Sequence, residues 1–271
     1  MSTIADDNDG KTVIITGASS GIGKQLAVEY AKKLNTQTLI LLGRNGERLS
    51  QTATLCKACN QNIDIKTYCF DLLDANQTTK IMQEILLVHT IDIAIANAGV
   101  SAGTLGGGES LSQINTLIST NICGVVNFIT PIIERSKEVN RPVSIAIISS
   151  MAGLIALPSS PTYSASKAFV RFYGNALRSE LKNYGIKISV ICPGYIKTPM
   201  TAVNKFKMPL LMSAEKAALK IIHAIELNTG FLCFPLAMYA VVRLFNLLPY
   251  KLQDWIASKL PKKSSLINTK Q

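Results

Sequence analysis

Short apolar, β-branched runs alternate along this chain with longer stretches in which apolar residues recur every three to four positions. The runs at 12–16, 38–42, 63–70, 91–96, 143–149, 186–192 and 231–234 predict strands, and the stretches at 22–34, 46–59, 76–89, 110–137, 162–184 and 213–226 predict helices. Several runs are almost continuously apolar, as strands covered on both faces must be. Strict alternation of strand and helix predicts an α/β fold: one doubly wound parallel sheet of about seven strands with helices on both faces, over residues 1–235. Residues 236–271 follow as a helical appendage. Its apolar stretch between Pro235 and Pro249 is too short to span a bilayer and is interrupted by Arg243. At 250–260, Leu252, Trp255, Ile256 and Leu260 fall at helical spacing. So apolar an appendage needs cover, which the protein itself, a second subunit or a bilayer interface could each provide.

Composition narrows the class. With 48% hydrophobic and 17% charged residues the chain buries a sizeable core and is not a disordered polymer. Six irregularly spaced cysteines exclude a disulfide scaffold, and the polar, acidic start lacks an apolar signal core, so a cytoplasmic protein is expected. The net charge of +11 raises nucleic acid, but the basic residues are scattered without an aromatic-interleaved stripe, and no nucleic-acid partner is expected. Positive charge gathers only in the tail, where Arg243, Lys251, Lys259, Lys262, Lys263 and Lys270 face the single acid Asp254. That pairing with apolar residues suits peripheral membrane contact. Cys56 and Cys59 have the spacing of half a zinc site, but His89 and His223 lie far off, so no metal is expected.

The chemistry-bearing residues fall at strand ends. The first strand runs into Thr16-Gly17-Ala18-Ser19-Ser20-Gly21-Ile22-Gly23 and then a helix. Glycines at such a turn let the backbone approach a pyrophosphate, and the helix N-terminus offers free N–H groups. The second strand ends in Gly43-Arg44-Asn45 without the acid that would accept from ribose hydroxyls, and Arg44 can pair with a 2′-phosphate, which favours NADP(H). An arginine merely solvated there would leave the choice open. Tyr163 and Lys167, four apart, share a helix face, where an ammonium would draw the phenol toward working range. Ser150 follows the fifth strand, at the end of the sheet where such folds place ligands.

In combination these motifs resemble the short-chain dehydrogenase/reductase family, over residues 11 to about 235, whose fold is Rossmann-like. Thr16, Gly17, Gly21 and Gly23 match its glycine motif, Asp71 (with Leu72 beside it) its adenine-side acid, and Ala96-Asn97-Ala98-Gly99 its Asn-Asn-Ala-Gly motif with the first Asn replaced. Asn121, Ser150, Tyr163 and Lys167 match the catalytic tetrad, and Pro193, Gly194 and Thr198 the loop bordering the nicotinamide. The resemblance implies that Tyr163 is the acid–base, Ser150 orients the carbonyl oxygen, Lys167 holds the nicotinamide ribose, and Asn121 holds a relay water. It also implies pairing through two long central helices into a homodimer or homotetramer.

The insert 195–212, with Met200, Phe206, Met208, Leu210, Leu211 and Met212, covers the substrate in that family, and the glycine-rich stretch 100–108 reads as a mobile loop at the same mouth. The expected activity is NADP(H)-dependent interconversion of a ketone or aldehyde and an alcohol on a hydrophobic, lipid-, steroid- or acyl-like substrate. A dinucleotide-binding sensor without turnover is the rival class.

Overall fold

The structure is a computed structural model that describes residues 10–104, 107–204, 206–261 and 263. The acidic start, Lys262 and Lys270 of the tail, and Leu105 and Gly106 of the glycine-rich loop lie outside the described residues. The elements in chain order are β1 (Lys11–Thr16), α1 (Gly21–Ala31), β2 (Thr36–Gly43), α2 (Gly46–Cys59), β3 (Asp64–Cys69), α3 (Ala75–Val88), β4 (Ile93–Ala96), α4 (Leu111–Ile118), α5 (Gly124–Glu138), β5 (Ser144–Ile148), α6 (Pro161–Glu180), β6 (Lys187–Pro193), β7 (Ile196–Lys197), α7 (Pro199–Ala202), β8 (Met212–Ser213), α8 (Ala214–Glu226), β9 (Phe231–Phe234), α9 (Leu236–Asn246) and α10 (Tyr250–Ala257).

Seven strands form one parallel sheet in the order β3-β2-β1-β4-β5-β6-β9. Alternate side chains of each strand feed opposite layers. Ile14, Ile40, Ile147 and Val190 pack under α3, α5 and α6 with Phe128 and Ile129, while Val13, Ile15, Leu39 and Leu41 pack under α1 and α8 with Leu26 and Ile221. Strand order reverses between β1 and β4, which opens a crevice at their C-terminal ends. The glycine turn, Arg44, Asp71, Asn97 and Ser150 follow C-terminal ends of sheet strands, Tyr163 and Lys167 enter the crevice from α6, and Asn121 lies on the turn between α4 and α5.

Four local differences from the sequence pattern matter. The stretch 63–70 reads as an apolar strand, yet β3 is a largely exposed edge whose Asp64 and Lys66 pair at 3.2 Å. Charge there protects an open edge from further strand pairing. The single helix expected over 110–137 is divided by a π-helical turn at Ser119–Cys123, around Asn121. The helix expected over 162–184 stops at Glu180, and a 3-10 turn at Lys182–Tyr184 closes it before left-handed Gly185. Finally, β7 and β8 form a two-stranded parallel pair that ties together the two ends of the insert.

The appendage lies on the sheet's last strand. Met238 and Tyr239 of α9 pack against the core, and Asn246 Nδ2 donates to the Leu154 carbonyl at 2.8 Å. Val242 and Ala257 are buried, whereas Leu236, Val241, Leu244, Leu247, Tyr250 and Trp255 remain exposed.

Candidate active site

The glycine turn after β1 forms the floor of the cleft. Gly17 and Gly21 have φ of 67° and 55°, the left-handed region that favours glycine. A Cβ on Gly17 would stand 2.9 Å from the Ala98 Cα. Thr16 Oγ1 accepts from the backbone N–H groups of Asn97 and Ala98, at 3.0 Å each, while Asn97 Nδ2 donates to the Thr16 carbonyl at 2.9 Å. The Asn97 amide thus bolts the loop after β4 to the glycine turn. Gly23 stands apart: it does not line the cleft, and its missing Cβ makes room for the Gly17 carbonyl, letting α1 sit tight against the turn. Gly17, Ser19, Ser20, Gly21 and Ile22 do line the cleft. Ser20, the N-cap of α1, makes no side-chain capping bond, and no acid occupies the first turn. The N–H groups there are open to an anion.

Arg44 lies at the end of the cleft beyond β2, exposed, with Nη1 3.7 Å from an Asp71 oxygen. Arg48, in the first turn of α2, lines the same end and was not singled out from the sequence. Its signal was available: Asn45 caps α2 by accepting from the Arg48 N–H at 2.8 Å, and a helix starting at 46 sets Arg48 one turn beyond Arg44. Asp71 Oδ1 accepts from the Leu73 N–H, and Leu72 adds an apolar wall. At the opposite end Pro193, Gly194 and Thr198 complete the lining, with Met200 beside them.

Asn121 is wholly buried. Its Oδ1 accepts from the Val100 N–H at 2.8 Å, and its Nδ2 donates to the Val100 carbonyl and to Ser166 Oγ, each at 3.0 Å. The side chain therefore holds the loop after β4 and does not itself line the cleft. Its neighbour Thr120 does, and the Thr120 hydroxyl is buried with no hydrogen-bond partner. The π turn that carries both residues also takes carbonyls out of the regular helical ladder.

Ser150, two residues past the end of β5, and Tyr163, in the first turn of α6, bring two hydroxyls together at the cleft wall. Burial pushes the Tyr163 phenol above its ordinary range, and the hydroxyls of Ser150 and Ser101 pull it back. Lys167 is buried one turn further on. Its Nζ donates to the Ile148 carbonyl at 2.9 Å, and burial pushes it down to about 8. The pull on the phenol expected of Lys167 is exerted here by serine hydroxyls, because the ammonium is turned to a strand carbonyl. Gly99 and Lys167 adjoin: a Cβ on Gly99 would lie 3.3 Å from the Lys167 Nζ. Two residues that the sequence assigned only to the mouth loop and the basic tail reach Tyr163 from the other side, Ser101 and, from beyond α10, Lys263, whose Nζ lies 4.9 Å from the phenol ring centroid.

Comparison with known proteins gives the family. The family model for short chain dehydrogenase matches residues 11–208. The chain belongs to the short-chain dehydrogenase family. It is 33% identical over 205 residues to the ketoacyl reductase HetN of Nostoc, covering 74% of this chain and 69% of that protein. Among solved structures, a short-chain dehydrogenase/reductase from Burkholderia phymatum in complex with NAD superposes with a TM-score of 0.79 at 22% identity, over 95% of this chain and 98% of that one. A short-chain dehydrogenase from Sphingobium yanoikuyae in complex with NADPH gives 0.77 at 23%, over 93% and 96%. This short-chain dehydrogenase is an oxidoreductase whose cleft fits a nicotinamide dinucleotide. The fit rests on the uncapped N-terminus of α1, the Gly17 floor that a Cβ would fill, and the orphaned Thr120 hydroxyl.

Proposed function

We propose that this protein is an NADP(H)-dependent oxidoreductase that interconverts a ketone or aldehyde and an alcohol on a hydrophobic substrate. The observation that carries the reading is the meeting of the Ser150 and Tyr163 hydroxyls at the sheet's C-terminal edge, with Lys167 one helical turn behind. A bound nicotinamide dinucleotide supplies or accepts the hydride. Tyr163 gives its phenolic proton to the substrate oxygen during reduction and takes it back during oxidation. Ser150 donates a hydrogen bond to that oxygen and fixes its approach. Lys167 holds the nicotinamide ribose, and the backbone around Asn121 positions a water through which Lys167 exchanges protons with solvent. At the other end the first turn of α1, Ser19, Ser20 and the Ala98-Gly99 backbone hold the pyrophosphate and ribose, and Asp71 with Leu72 hold the adenine.

Preference for NADP(H) is supported by Arg44 and Arg48, two guanidiniums at the end of β2 that suit a 2′-phosphate. A hydrophobic substrate is supported by Met200 in the lining and by exposed Val203, Leu210 and Leu211 along the insert. The ketoacyl reductase among the relatives makes acyl substrates the first to try. The catalytic unit is residues 1–235 and the extension 236–271. The extension's exposed apolar residues lie among Arg243, Lys251 and Lys259, a pairing suited to an anionic bilayer surface. Exposed Leu111, Phe169 and Phe172 on α4 and α6 support pairing of two or four copies.

The test is NADPH oxidation against ketones graded in chain length and ring size, with Tyr163→Phe as control. Turnover that rises with apolar length and vanishes in the control supports the reading. Tight NADPH binding without turnover on any ketone moves it to a sensor. Flotation with anionic but not neutral vesicles tests the bilayer contact.

A further inference from the structure

The residues assigned above to binding and reaction fall between Gly17 and Thr198, yet one charged side chain reaches Tyr163 from the far end of the chain. Lys263 Nζ lies 4.9 Å from the Tyr163 ring centroid and donates a hydrogen bond to Ser101 Oγ. Ser101 in turn reaches the Tyr163 phenol. Where the Lys263 backbone passes, the loop after β4 has Gly103, buried, on which a Cβ would run into the Lys263 carbonyl. No Asp or Glu among the described residues pairs with Lys263, so this ammonium faces a hydroxyl and an aromatic face.

We propose that Lys263 is a positioning residue of the active site, which acts through Ser101 and across the ring face to favour the phenolate of Tyr163. A cation over an aromatic face within about 6 Å is attracted to it, and the attraction grows when the ring carries negative charge. A hydroxyl that receives a hydrogen bond from an ammonium is itself a better donor to a phenolate. The other charged groups around Tyr163 cannot substitute. Lys167 is turned to the Ile148 carbonyl, with Cys192 of β6 beside it; Arg171 Nε is bonded to the Gly153 carbonyl; and Glu109, before α4, is engaged by the N–H and hydroxyl of Thr162. Burial lowers Lys263 to about 8, so its charge is present below that pH.

The inference rests on Tyr163 being the acid–base, and the test separates the two. In the full-length protein, kcat/KM for NADP⁺-linked alcohol oxidation is measured against pH for wild type and for K263Q, K263R, G103A and Y163F. Oxidation requires the phenolate, so its rate rises with pH through the phenol's pKa. Removing the cation in K263Q is expected to cost roughly tenfold below about pH 8, where Lys263 is charged, a loss that closes at higher pH as the wild-type lysine gives up its proton. K263R restores the wild-type limb. G103A, whose backbone φ suits alanine, gives the K263Q profile by pushing the Lys263 backbone away from the loop while the lysine itself is unchanged in sequence. An unmoved profile in both K263Q and G103A overturns the proposal, as does a higher kcat in K263Q, which would mark the segment as a plug. A raised KM with the profile unchanged also overturns it, because Lys263 would then be binding substrate. An active Y163F instead overturns the acid–base reading itself.

Discussion

Gly153 holds the active site together without touching a ligand, and its replacement gives a quantitative test. It sits in the 3-10 turn Met151–Leu154 that follows Ser150. A Cβ there would lie 2.6 Å from the carbonyl carbon of Lys167, 2.7 Å from its oxygen and 2.8 Å from the Ala168 nitrogen. These are backbone atoms of α6, which cannot swing aside as a side-chain tip can. Ordinary contact begins at 3.4 Å, so Gly153→Ala must open the gap between the turn and α6 by about 0.8 Å. Ser150 is carried on the turn and Tyr163 on α6, so the displacement falls directly between the two reacting hydroxyls. A misplacement of roughly 1 Å costs on the order of 100-fold in rate, and overpacking costs about 1–3 kcal/mol of stability. The backbone φ of Gly153 is not left-handed, so conformational strain adds nothing. The assay pairs kcat for ketone reduction with the Kd for NADPH and the melting temperature. We expect kcat to fall about 30- to 100-fold while Kd changes less than about threefold, since the glycine turn and the arginines lie across the cleft. Gly46→Ala is the control, because a Cβ there meets only the Cys69 side chain, at an ordinary 3.6 Å or more. A Gly153→Ala protein that melts a few degrees lower yet turns over within threefold of wild type would refute the claim that this contact sets the Ser150–Tyr163 geometry.

Other expectations follow from single features. Replacing Arg44 and Arg48 together by alanine should weaken NADPH binding by roughly 10- to 100-fold, the worth of one or two charge-assisted hydrogen bonds, and leave NADH nearly unaffected. Titration calorimetry with both cofactors reads this, and an unchanged NADPH:NADH ratio would remove the 2′-phosphate assignment. Asn121→Ala strips three hydrogen bonds from a fully buried site and leaves the Val100 N–H and carbonyl unpaired, so urea unfolding should show a loss of about 2–4 kcal/mol. For Lys167, lowered to about 8 in the fold against an ordinary 10.5, the unfolded chain binds more protons between those values. Stability contributed through this group therefore rises with pH over that window, and the difference in unfolding free energy between wild type and Lys167→Met should grow from about pH 8 to pH 10.5, by up to roughly 3 kcal/mol. A flat difference would mean that the ammonium is not desolvated.

Much of the fold was legible because its signals are local. Mostly apolar runs such as 38–42 and 186–192 became interior strands, and the turn from Thr16 to Gly21 placed itself at a strand-to-helix junction as its glycines required. The misreadings are equally physical. The strand expected at 63–70 forms as β3, but the apolar pattern does not give its place in the sheet, which exposed Asp64, Lys66 and Thr67 mark as an edge. The break at Ser119–Cys123 is invisible to periodicity, since one extra residue per turn changes the phase without changing composition.

The functional residues divide the same way. Tyr163 and Lys167 report themselves through a four-residue spacing that any helix turns into one face, and Ser150 through its place after a strand. Ser101 and Lys263 have no such spacing. The two are 162 residues apart and meet only because α9 docks on β9 and on the turn after Ser150, which returns the chain to the mouth of the cleft. That return depends on Gly103, and a glycine with negative φ in a glycine-rich loop reads from sequence as slack. In the fold it is the opposite: the one residue small enough to admit the Lys263 backbone at that place. The appendage thus has two faces with separate roles. Its inner face carries a cation to the acid–base, and its outer face leaves Leu236, Leu244, Leu247 and Trp255 uncovered among basic residues. A surface that engages the outer face also acts on the element that positions Lys263, so membrane contact and the protonation of Tyr163 are expected to be coupled. Assaying wild type and K263Q with and without anionic vesicles would show it: vesicles should move the pH profile of the wild type and leave that of K263Q where it was.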